Sequence, residues 1–181
     1  MIIIPVTENI LVHCKKQVEK FNFGKRKYAN GSKNQQLTGI IGQSVVTNLF
    51  NKGLVDGNEG FDNGVDLVFN NKKIDIKTMG RTTSVKKSYT NNFLKAQDYF
   101  DTEIYIFCSY HKLKNEVTIC GWITKKEFVK KRRFYPKGSI RERFDGTTFT
   151  TFSDLYEIDN HQLNEINSIA ELKKELSSLN Y

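Results

Sequence analysis

The stretch Gly64-Val65-Asp66-Leu67-Val68-Phe69-Asn70-Asn71-Lys72-Lys73-Ile74-Asp75-Ile76-Lys77 decides how this chain is read. Apolar residues recur at every second position, at Val65, Leu67 and Phe69 and again at Ile74 and Ile76, which is the period of a strand with one buried face. Between the two runs stands Asn70-Asn71, and asparagine tolerates the positive φ that a two-residue hairpin turn requires. Such a loop fixes the register: Phe69 faces Lys72, Val68 faces Lys73, Leu67 faces Ile74, Asp66 faces Asp75 and Val65 faces Ile76. Opposed residues share a face of the sheet. One face is then Val65, Leu67, Phe69, Ile74 and Ile76, a core surface, while the other gathers Asp66, Val68, Lys73, Asp75 and Lys77.

Two carboxylates placed side by side repel each other and call for a compensating cation. A divalent ion is one answer, because carboxylates, backbone carbonyls and waters make the oxygen-only site that Mg²⁺ prefers. Lys77, on the same face, would then position a water or stabilise negative charge developing on a phosphate. The other answer is a solvated cluster in which Asp66 and Asp75 are screened by Lys73 and Lys77, worth little energetically. Spacing alone leaves both open.

Working outward, Ile40, Ile41, Val45, Val46, Leu49 and Phe50 predict a largely buried helix from about Gly39 to Asn51, with Thr38 as N-cap and Gly53 beyond its end. Ile10, Leu11, Cys14, Val18 and Phe21 predict a helix over 8–21. Downstream, a short helix is expected over Asn91–Tyr99 and strands over Glu103–Ser109 and Val117–Ile123, joined by the polar 111–115 segment. Thr124 and Glu127 form a capping-box pattern that opens a basic helix to about Arg132, and Ser168 with Glu171 repeats it before a helix over 168–179. Helices at both ends of a strand-rich middle place the chain in the α/β or α+β class.

Asp66, a strand pair, then Asp75-Ile76-Lys77 resembles the PD-(D/E)XK nuclease superfamily, whose signature is an Asp, a gap and an Asp/Glu-x-Lys on adjoining strands. The preceding Gly39-Ile40-Ile41-Gly42-Gln43 helix, the glycine-rich approach Gly60–Gly64 and the later helix and strand are similar too, so the likeness spans roughly 38–123. It implies a restriction endonuclease-like α/β fold: a central mixed sheet of four to five strands flanked by helices. The whole chain would form one such domain, with helices 8–21 and 168–179 added to the core. It also implies that Asp66, Asp75 and the Ile76 carbonyl bind Mg²⁺, with Mn²⁺ as substitute, and that Lys77 is the catalytic lysine. Gln43 stands where many members place a metal-binding or water-orienting Glu. A neutral Gln can hydrogen-bond water but adds no charge. The usual proline before the first Asp is replaced by Val65. Glu59 and Asp62 are nearby carboxylates that suit a turn or could complete the site, Gln97 could face the substrate, and the three histidines, His13, His111 and His161, lack ligand spacing.

The chain of 181 residues carries 28 Lys+Arg against 20 Asp+Glu, a net +8. A chain this long buries roughly 70% of its unfolded surface behind one core and needs no disulfide. Cys14, Cys108 and Cys120 are odd in number with no Cys-x-x-Cys pair, and read as buried thiols of a cytoplasmic protein. No apolar run reaches the ~20 residues of a membrane span, and Met1–Pro5 is too short for a signal core. The charge is unevenly spread: residues 149–181 hold two basic and six acidic side chains, leaving +12 on residues 1–148. Within that basic body, Asp56–Asp75 holds five acids against Lys72 and Lys73. Basic residues concentrate at Lys25, Arg26 and Lys27, and from 125 to 143 at Lys125, Lys126, Lys130, Lys131, Arg132, Arg133, Lys137, Arg141 and Arg143. Phe128, Phe134, Tyr135 and Phe144 are interleaved. An acidic pocket in a basic surface suits a phosphodiester substrate, DNA above all. The expectation is a Mg²⁺-dependent deoxyribonuclease of repair, recombination or restriction, dimeric by analogy with such folds. The rivals are an inactive nucleic-acid-binding module on the same fold and a subunit whose basic helix meets an acidic protein.

Overall fold

In the computed structural model, residues 1–23, 31–59, 64–143 and 146–179 are described. Along the chain run β1 (Ile2–Pro5), α1 (Glu8–Lys20), α2 (Lys33–Leu49), β2 (Leu67–Phe69), β3 (Lys72–Arg81), β4 (Thr90–Leu94), β5 (Ile104–His111) and β6 (Glu116–Thr124). They continue with α3 (Lys125–Lys131), β7 (Arg133–Tyr135), β8 (Ile140–Glu142), β9 (Thr148–Thr150), β10 (Leu155–Asp159) and α4 (Ile169–Ser178). Five strands form a mixed sheet in the order β1-β6-β5-β3-β2, in which β3 and β5 are parallel and the other pairs antiparallel. A second antiparallel sheet has the order β4-β10-β7, and β8 pairs with β9 in a hairpin. The chain is therefore mixed α/β. No helix among the described residues is long and apolar enough to cross a membrane.

Near the turn the hairpin takes the expected register, Leu67 opposite Ile74, Val68 opposite Lys73 and Phe69 opposite Lys72, but β2 begins at Leu67, so the expected pairs Asp66–Asp75 and Val65–Ile76 are not part of the ladder. Asn70 and Asn71 take φ of 47° and 60°, the left-handed pair of a type I′ turn. Burial follows the alternation: Leu67, Ile74 and Ile76 are in the core, while Val68 is 50% exposed.

Each face of the five-stranded sheet buries a different kind of side chain. Helices α1, α2 and α4 cover one face, where Ile10, Val18, Ile41, Val45, Leu172 and Leu176 pack on Ile74, Ile76, Ile104 and Ile106. The other face carries Tyr105, Phe107, Cys120 and Ile123, which pack with Phe128 of α3, Phe93 of β4 and Ile158 of β10. Tyr105, Phe93 and Phe128 meet with ring centroids 5.1 Å apart in each pair.

Two elements differ from the sequence reading. Helix α2 begins six residues earlier than expected, because Ser32 and Gln35 form the reciprocal capping box. Thr38 is thus interior, its hydroxyl donating to the Asn34 carbonyl at 2.9 Å. The segment expected to be a helix over Asn91–Tyr99 is strand β4, followed by a 3₁₀ turn over Lys95–Gln97. Its partner is β10, more than sixty residues away, with Asn91 opposite Ile158 and Phe93 opposite Tyr156. Asn91 donates its amide to Asn160 Oδ1 at 2.8 Å inside the fold. A distant strand supplied what local pattern could not show.

The expected helices at both chain ends are α1 and α4; β5 begins one residue and ends two residues later than expected, and β6 is one residue longer at each end. His111 ends β5 and is buried, not in a loop. All three cysteines are free and buried.

Candidate active site

Strand β3 lies between β2 and β5, so its side chains alternate between the two layers. Ile74, Ile76 and Thr78 face the helices. Helix α2 approaches this side so closely that a Cβ on Gly42 would stand 2.0 Å from Thr78 Oγ1. Asp75 and Lys77 face the aromatic layer. Asp75 has a side chain only 2% exposed, and Lys77 Nζ stands 2.7 Å from its Oδ2, with Lys77 17% exposed. The ammonium also sits 5.5 Å from the centre of the Phe93 ring. An ion pair this deep is held by its surroundings, since breaking it would strand a buried charge.

Asp66 precedes β2 at the mouth of the hairpin. Its backbone N–H donates to the Ile74 carbonyl at 2.9 Å, and its carboxylate accepts from the Ile76 N–H at 2.6 Å. The N–H and C=O of one strand residue project to the same edge, so the Ile76 carbonyl turns toward the side on which Asp66 lies. The approach is fixed by Gly64, whose carbonyl accepts from the buried Thr102 hydroxyl at 2.7 Å. Gly64 has φ of 78°, and a Cβ there would strike the Phe100 ring at 2.4 Å, so no other residue fits.

Beside Asp75, in register across β5, is Tyr105. Its hydroxyl is buried without a hydrogen-bond partner among the described residues. Burial, and then the negative charge of Asp75, push this phenol well above its ordinary value, so it stays neutral. Phe93 and Tyr105 were outside the sequence reading. Aromatic residues in a strand look like core, and both are core; only the chain path brings them against Lys77.

Gln43 is placed differently. It is half-buried on α2, the helix that covers the opposite face of β3, and its side chain enters no hydrogen bond or ion pair among the described residues. Lys73 turns away from Asp66 and Asp75 to pair with Asp101. Gln97 is buried in the 3₁₀ turn after β4. His13 bonds the Val55 carbonyl through Nε2 at 2.7 Å, and His161 is exposed. Asp62, the Glu59 side chain and Lys25, Arg26 and Lys27 lie outside the described residues. No group of three or more acidic, histidine or cysteine side chains able to hold a metal is assembled among the described residues. The Asp66 and Asp75 carboxylates and the Ile76 carbonyl are hard oxygen donors of the kind Mg²⁺ takes, with waters completing its shell.

The basic segment divides into two populations. Lys126 and Lys130 of α3 are exposed, whereas Lys125 donates to the Phe100 carbonyl at 2.6 Å and Lys131 to the Gln162 carbonyl at 3.1 Å. Arg132 pairs with Asp98 at 2.6 Å and lies 3.6 Å from the Tyr156 ring centre. Arg133 grips Asp159 with two nitrogens, at 2.9 and 2.8 Å, and Arg141 pairs with the buried Glu157. Arg133 and Arg141 thus neutralise the acids of β10, Arg132 neutralises Asp98, and exposed side chains such as Lys126 and Lys130 carry positive surface. No family model, curated protein or solved structure matches this chain.

Proposed function

We propose that the protein is a divalent-metal-dependent nuclease of the PD-(D/E)XK type acting on DNA. The reading is carried by the buried Asp75–Lys77 pair set beside Asp66, whose carboxylate is tied to the strand at Ile76. Asp66, Asp75 and the Ile76 carbonyl would hold the ion. When bound, that ion polarises the phosphate and lowers the pKa of a water. Lys77 Nζ stands on the same strand face as Asp75, where it can hydrogen-bond a phosphate oxygen and stabilise its developing charge. Phe93 and Tyr105 wall the pair on the inner side and exclude water, which strengthens its electrostatics. The exposed lysines of α3 add a sequence-independent attraction for the backbone.

The test is cleavage of linear, nicked, branched and single-stranded DNA with Mg²⁺ or Mn²⁺. Asp66→Asn keeps an acceptor for the Ile76 N–H, and Asp75→Asn keeps the shape of the buried carboxylate. Each should lower cleavage at least about a hundredfold, as should Lys77→Met. Mg²⁺ should raise the melting temperature of the unaltered protein and not of the Asn variants. Intact DNA in every lane, or unchanged cleavage by Asp75→Asn, would sink the proposal. The second reading, a binding module without catalysis, is favoured by the neutral Gln43 on the opposite face; salt-sensitive DNA binding with no metal-dependent cleavage is its signature.

A further inference from the structure

Strand register draws a row of aromatic residues outward from the candidate site. Phe93 of β4, under Lys77, is opposite Tyr156 of β10, and Tyr156 is opposite Phe134 of β7. Opposed residues share a face, so the three rings occupy one side of the second sheet over about 10 Å, two strand spacings. Burial falls along the row: Phe93 is 1% exposed and Phe134 is 46% exposed. Cations flank the outer end. The Arg132 guanidinium lies 3.6 Å from the Tyr156 ring centre, and Lys95 Nζ lies 4.7 Å from that of Phe134. Asp98, the partner of Arg132, is followed directly by Tyr99, which is 77% exposed.

Phe134 and Tyr99 present ring surface to solvent, and a cation stands over the first of them. A flat ring next to positive charge fits one class of polymer well: nucleic acid whose bases are unpaired. Base faces stack on aromatic side chains and phosphates meet the cations, whereas in a duplex the faces are already stacked on each other. Besides the Phe134 ring, Lys95 meets Asp154 in an exposed pair at 3.3 Å, a contact weak enough for an incoming phosphate to displace.

We infer that Tyr99 and Phe134, with Lys95 beside Phe134, form a stacking ledge for the single-stranded part of a nucleic acid whose neighbouring phosphate lies at Asp75 and Lys77. The inference rests on the nuclease reading for what the ledge serves, but its test does not require cleavage. Anisotropy of a fluorescein-labelled oligothymidine is measured in EDTA, against a blunt hairpin duplex with the same number of phosphates. The single strand should bind several-fold more tightly. Tyr99→Ala and Phe134→Ala should each weaken it about tenfold and leave duplex binding nearly unchanged.

Phe134→Trp should retain binding and add an indole fluorescence that the oligothymidine quenches. Tyr99 is exposed enough that its replacement leaves the fold intact, so that variant stands even if Phe134→Ala unfolds. Equal affinity for the two DNAs, or alanine variants within twofold of the unaltered protein, overturns the ledge. A protein that cuts duplex with Mg²⁺ yet shows no single-strand preference loses only this inference. One that binds single strands through Tyr99 and Phe134 yet cuts nothing keeps the ledge and loses the nuclease reading.

Discussion

The two faces of the five-stranded sheet share strands but differ in chemistry. Under the helices the packing is mainly aliphatic, with Ile41, Val45 and Val46 against Ile74 and Ile76, though Phe50, Tyr110 and Trp122 are buried there too. Under the second sheet it is aromatic, with Tyr105, Phe93 and Phe128, and the Asp75–Lys77 pair sits against it. Branched aliphatics interlock tightly and seal their face. Flat rings leave rims, tolerate a cation over the π face, and let a polar pair remain partly reachable. The same strand, β3, therefore stabilises the fold through its even-numbered residues and offers chemistry through Asp75 and Lys77.

Truncations on either side break the comparison most directly. Phe128→Ala should cost about 4 kcal/mol and Ile41→Ala about 3 kcal/mol, by denaturant unfolding. If the aromatic layer only caps the sheet, Phe128→Ala will cost far less than Ile41→Ala. Next in size is Gly42→Ala, which drives a methyl onto Thr78 and should cost about 2 kcal/mol through a shift of α2. A neutral result there would mean that the helical face is looser than its packing indicates.

Smaller still is the pin between β7 and β10. The Arg133 hydrogen bonds hold the Asp159 carboxyl below the usual carboxylate range. A lowered folded value stabilises above about pH 4, the unfolded pKa, and the effect is lost as pH falls through the folded value. Asp159→Asn should thus cost about 1 kcal/mol at pH 7 and progressively less below pH ~4, in melts across pH. Finally, burial raises all three thiols: Cys108 well above its ordinary value, Cys120 up to about 12, and Cys14 less. None should react with a thiol reagent in the native protein at neutral pH, and all should after unfolding. Native labelling of Cys120 alone would show that the aromatic face opens separately.

Much of the site was legible because it is local. Asn70-Asn71 set the turn, and the turn set the register of Leu67–Phe69 against Lys72–Ile74, which leaves Asp75 and Lys77 on one face of β3; Asp66 precedes that ladder and is placed by its bonds to Ile74 and Ile76. The extent of α2 was misjudged because polar residues at 33–36 hid a capping box that Ser32 and Gln35 announce once compared. β4 was misread for a different reason: Asn91–Leu94 has weak strand character, and its conformation comes from β10.

What the sequence alone determined is the hairpin, the capped helices and the alternation that separates carboxylates from core, since each depends on residues within a few positions of one another. The tertiary structure decided which layer covers each face, because coverage depends on contacts between segments far apart in the chain. It also decided how the arginines are used. From sequence they were part of a basic run, but the return of β10 places Glu157 and Asp159 against Arg141 and Arg133. Arginines that belong to a basic run in the sequence are thereby matched by acids within the fold, because pairing depends on distance in space and not along the chain.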